Sequence, residues 1–207
     1  MSDMPLAGCR KVGGWPVTAR TQAWLGLAAS PLAAAGMLVA SRGDPAVFGL
    51  GVGVSMLSAI PHEHLHAAAA RALGLTARVR WSALMPHSQS EGVLRLWQVP
   101  VTSLAPQLLT LGLLAGGAWL RSPVLAVATI GHAALSLGDV AHAAYAALSV
   151  LRASTRRRLL LNGPGPAAGL YEPIGSKTDC LWQPRRWMRW VLRTGSQWLP
   201  RVRNGRS

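Results

Sequence analysis

His62, Glu63 and His66 stand in "AIPHEHLHAAAARALG", residues 59–74, within one of the most apolar parts of the chain. On a helix, histidines four residues apart leave from one face, one turn above the other, so both imidazoles can reach a single divalent ion. The glutamate between them then lies beside that ion, where its carboxylate can take a proton from water. The H-E-x-x-H spacing therefore predicts zinc held by His62 and His66, with Glu63 as general base. His64 is rotated by about 200° from His62 and should point away. Its remaining candidate role is to support a ligand from outside by a hydrogen bond.

A single buried His or Glu is more often a hydrogen-bonded packing group than a ligand. Four adjacent polar positions in an apolar segment need a common cause, because an ionisable side chain near the centre of a membrane span costs about 2.5–3.5 kcal/mol on insertion scales. A bound metal supplies that cause. Catalytic zinc takes three protein ligands and keeps one position open. Asp139, in "SLGDVAHAAY", is the only other acid inside an apolar stretch.

Depth supports the pairing. Counting from Pro45, His62 comes after 17 residues, and counting from Ser122, Asp139 also comes after 17 residues. At 1.5 Å per residue both lie about 25 Å from the same membrane edge. His142, one turn beyond Asp139, shares its face and is expected to support a ligand or to replace Asp139 as one. His132 lies about 10 Å nearer the outer edge, and the Gly and Ala around it favour a helix-packing role.

These residues sit in a chain of 207 residues that is 50% hydrophobic and only 14% charged, against about 25% charged in water-soluble domains. The composition points to an integral membrane protein. Apolar stretches at 22–40, 46–72, 101–120 and 123–151 each approach the roughly 20 residues that a spanning helix needs. The expected fold is an all-α bundle of four transmembrane helices in the cell membrane. It divides into an N-terminal segment 1–21, a membrane domain 22–151 and a basic tail 152–207. No cleavable leader and no internal repeat is evident.

The net charge of +14 excites the thought of nucleic acid, but its distribution gives topology instead. Arg10, Lys11 and Arg20 precede the first stretch, Arg71, Arg78, Arg80 and Arg95 follow the second, and Arg152 and Arg156–Arg158 follow the fourth. The alternate connections hold only Arg42 and Arg121. The positive-inside rule then places both termini in the cytoplasm, where Cys9 and Cys180 are expected to stay reduced. The tail interleaves Trp with Arg over 181–203, a pattern suited to anionic lipid headgroups, and no nucleic-acid partner is expected.

Residues 59–148 resemble the zincin peptidases, small multi-pass bacterial membrane proteins that carry H-E-x-x-H at the end of a span. The resemblance is carried by "HEHLH", "SALMP" at 82–86, the loop "HSQSEGVLRLWQVP", "LAP" at 104–106 and "LGD" at 137–139. It implies zinc-dependent peptide hydrolysis without naming a substrate. A more distant similarity is to site-2 intramembrane metalloproteases, which pair H-E-x-x-H with an Asp ligand from a later span. Here the order is Gly-Asp rather than Asp-Gly, and no PDZ-like domain is present.

The expected activity is a membrane-embedded zinc metalloprotease acting on a peptide or membrane-protein substrate, with His62, His66 and Asp139 on the metal. Rival readings are a metal-binding or transport protein without catalysis, and an inactive scaffold. Residues 77–100 alternate apolar and polar positions at both ends, which suggests a hairpin at the membrane rim able to hold an extended peptide by strand addition.

Overall fold

The computed structural model describes residues 6–7, 9–82, 85–152, 158–162, 168–174 and 181–182. Seven helices form one part: α1 Ala19–Ala40, α2 Pro45–Leu57, α3 Ala59–Ala72, α4 Val99–Leu104, α5 Gln107–Leu120, α6 Pro123–Leu135 and α7 Leu137–Leu151. By length and composition alone, Arg20–Ala40, Pro45–Ala72 and Leu96–Leu120 could each cross a membrane, and α6 with α7 forms a bent fourth candidate.

Local chemistry explains where the helices start. Thr18 caps α1 through its side chain, which accepts from Thr21 N. Asp44 accepts from Ala46 N and Val47 N, and Ser122 accepts from Leu125 N, with Pro45 and Pro123 opening α2 and α6. Each pattern satisfies amides that have no partner inside the helix, and proline at the first position loses nothing. α2 gives way to α3 at Ser58, and α6 gives way to α7 at Ser136 with a bend of 50°. Ser136 is fully buried and turns its hydroxyl back onto His132 O.

Small residues let these helices approach. A Cβ on Gly51 would lie 2.5 Å from Val127, and one on Gly131 would lie 2.5 Å from Ser55 Oγ. α2 and α6 are therefore in near backbone contact at two levels. The outer surfaces of the neighbouring helices stay apolar, with Leu32 and Val39 of α1 and Trp119 of α5 79%, 78% and 87% exposed.

The all-α expectation fails. Strands β3 Thr76–Ser82 and β4 Met85–Arg95 form an antiparallel hairpin, and the sheet continues through β5 Leu159–Asn162 and β6 Gly169–Pro173 to β2 Cys9–Gly13. The order is β2-β6-β5-β4-β3, antiparallel at every step, beside a two-stranded pair of β1 Leu6–Ala7 and β7 Leu181–Trp182. The protein is thus a mixed α/β fold in which segments from both ends of the sequence complete a sheet begun by the hairpin.

The sheet has a core of its own. Leu94, Leu96, Leu160 and Leu170 bury against Ala67, Ala70 and Ala146, so α3 and α7 present small residues to the sheet and polar ones to each other. Cys9 is buried and disulfide-bonded, which corrects the expectation of a reduced thiol there; Cys180 lies outside the described residues. Pairing of Ala7 with Leu181 brings residues 6–7 beside residues 181–182. The remainder of the Trp/Arg segment lies outside the described residues.

Candidate metal centre

Three side chains predicted from sequence converge. His62 Nε2 stands 3.1 Å from Asp139 Oδ2, and His66 Nε2 stands 3.2 Å from Asp139 Oδ1. One donor atom from each residue lies within 4.8 Å of the other two, so the group can hold a metal ion. α3 contributes the two histidines one turn apart, as the spacing requires. α7 contributes Asp139 in its first turn, just past the bend.

The outer hydrogen bonds bear on whether a cation fits. His66 Nδ1 lies 2.8 Å from Thr102 O. A carbonyl only accepts, so Nδ1 carries the proton and a neutral His66 turns a bare Nε2 toward the carboxylate. Two acceptors 3.2 Å apart repel unless a positive charge lies between them. A metal cation meets that need, as does a second proton on His66, and two imidazoles with one carboxylate form a donor set that several divalent metals accept.

Glu63 lies on the adjoining face of α3, and its Oε2 accepts a hydrogen bond of 2.6 Å from Ser88 N on β4. It lines both of two cavities that meet at the group. The first, about 600 Å³, opens between helices and sheet and includes Glu63, His66, His87, Ser88, Asp139 and Asn162. The second, about 590 Å³, runs between α1, α2 and α6 along Gly26, Ala33, Met37, Val52 and Leu135. Water and polar backbone suit the first; the second is largely apolar.

No family model, curated protein or solved structure matches this chain. Its function must be read from the site.

The other predicted residues divide. His142 does not join the three donors. It accepts from Trp15 Nε1 at 3.0 Å, lies 2.7 Å from Gln22 Nε2, and so fastens α7 to α1 and the segment before it. Trp15 also packs edge-on against Tyr145, with ring centroids 5.0 Å apart. His64 is exposed and bonds to Ile60 O one turn back on its own helix, at 2.9 Å. It has no part in the centre.

His132 goes beyond the packing role expected of it. It is 1% exposed, and its Nε2 lies 3.1 Å from His62 Nδ1. Straight-helix counting misses this contact, because the imidazole of His62 spans two levels, with Asp139 on one side and His132 on the other. Thr102, Trp15 and Gln22 carry no sequence signal that marks them as partners of this group.

Proposed function

We propose that the protein is a membrane-embedded zinc metallopeptidase, in keeping with the zincin-like resemblance of residues 59–148. The convergence of His62, His66 and Asp139 beside Glu63 carries this reading. The apolar outer surface of the helices supports placing them in a bilayer, since aqueous surfaces seldom expose so much contiguous hydrocarbon.

Bound zinc would polarise a peptide carbonyl and lower the pKa of water. Glu63 accepts the proton of the attacking water and returns it to the departing amide nitrogen. His62, His66 and Asp139 hold the site together, and the first cavity admits water to it.

The strand edge beside Glu63 supports a mode of substrate binding. Among the described residues Met85–Glu91 pairs with β3 on one side only, and β5 takes up pairing from Gly92 onward. The free side faces Glu63 through Ser88 N. An extended peptide laid along this edge gains backbone hydrogen bonds next to the reacting groups.

Glu63→Gln tests the proposal, because the amide keeps the shape and removes the base. Membranes containing wild-type protein should yield new peptide termini, and those containing the variant should yield at least about a hundredfold fewer at equal zinc content. Equal cleavage by both would remove Glu63 from the reaction.

A further inference from the structure

His62 and His66 differ in what holds the nitrogen turned away from Asp139. Thr102 O fixes the His66 proton outright, whereas His62 Nδ1 meets another imidazole, the Nε2 of His132, at 3.1 Å. That partner donates or accepts according to its own tautomer. The tautomer is decided further out. His132 Nδ1 lies 2.8 Å from Thr110 Oγ1, and Thr110 Oγ1 lies 2.9 Å from Gln107 Oε1.

The direction of the chain follows from its far end. The Gln107 amide oxygen only accepts, so Thr110 spends its single hydroxyl proton there and accepts from His132 Nδ1–H. His132 Nε2 then has a lone pair and accepts from His62 Nδ1–H. His62 Nε2 is left bare toward Asp139, as a metal ligand must be. Turning the Gln107 amide over reverses each bond: its NH₂ donates to Thr110, Thr110 to His132, and His132 to His62. The His62 proton is then forced onto Nε2, against the metal. Gln107 Nε2 is buried with no partner among the described residues, and the orientation with Oε1 toward Thr110 is the one that leaves His62 Nε2 bare for a metal.

We infer that Gln107, Thr110 and His132 form a positioning chain across α5 and α6 that sets the tautomer of His62 and thereby the affinity of the centre for its metal. The inference rests on the metal reading of His62, His66 and Asp139. None of the three residues touches the metal position, and the effect reaches it through three hydrogen bonds.

The test uses the full chain in detergent, with two readouts. One is zinc affinity by competition with a chelator. The other is the nitrogen-15 spectrum of histidine-labelled, metal-free protein, with His62 assigned by its loss in His62→Asn. Wild type should show the His62 proton on Nδ1. Thr110→Val, which keeps the shape and deletes the hydroxyl, should lose that single tautomer and bind zinc about tenfold to a hundredfold more weakly. Thr110→Ser should restore both, a rescue that a packing role would not give. Gln107→Met should shift both readouts in the same direction, and it stands in if Thr110→Val does not fold. Zinc affinity within twofold of wild type in Thr110→Val or its stand-in, no rescue by Thr110→Ser, or a wild-type His62 protonated on Nε2 would each overturn the inference. A wild type that binds no zinc would sink the metal reading instead, while the spectrum still tests the chain.

Discussion

His62 Nε2 and Asp139 Oδ2 stand 3.1 Å apart, and each is delivered by a helix that follows a break after 13 residues. α2 and α6 both begin at a capped proline, both yield at a serine, and both pass the chain to a second helix bearing the donors. The two breaks lie level with each other because Gly51 and Gly131 lock α2 against α6 on the way. The meeting of His62 and Asp139 is thus a consequence of packing as well as of equal spacing from the two prolines.

Asp139→Ala should lower zinc affinity and peptide cleavage together. Asp139→Asn should be nearly as damaging, since a neutral amide replaces the only anionic donor beside two neutral imidazoles. His142→Ala should cost about tenfold, because it loosens α7 from Trp15 and Gln22 without removing a donor. Chelator competition on the three variants ranks them. Full affinity in Asp139→Ala would refute its role as a ligand.

The centre was legible in the sequence because its signals are local or scarce. Helical periodicity alone brings His62 and His66 together, and acids are so few that Asp139 stood out. The sheet was less legible. β5 is four residues, Leu159–Asn162, following a run of arginines, and β2 and β6 are five residues each. Such segments show no periodicity until β4 gives them an edge to pair with. Only the hairpin, with its alternating ends, announced itself. The bend at Ser136 and the His132 contact were hidden for a related reason, since no single helix carries them.

Gly51→Ala should destabilise the protein by about 1–3 kcal/mol through overpacking, because the new methyl meets Val127 at 2.5 Å. It should also weaken zinc binding by moving α3 away from α7. Gly53→Ala, with nothing within 4 Å of its Cβ, is the matched control and should change little. Thermal unfolding in detergent compares them. Equal stability would show that α2 and α6 do not depend on close approach there.

Single cysteines at positions 43, 78 and 121, in a background without Cys9 and Cys180, should report topology by labelling from either side of the membrane. Positions 43 and 121 should label together from outside, and position 78, on exposed β3, from the side that holds most of the arginines, the cytoplasm. Labelling of position 78 from the same side as 43 and 121 would contradict the charge-based orientation. Opposite labelling of 43 and 121 would break the shared depth of His62 and Asp139.

Metal content of the purified full chain, prepared without chelators, tests the central claim most directly. Elemental analysis should find one zinc per chain in wild type, and almost none in the His62→Ala/His66→Ala variant at equal folded content. A metal-free wild type, or equal zinc in the double variant, would contradict the account.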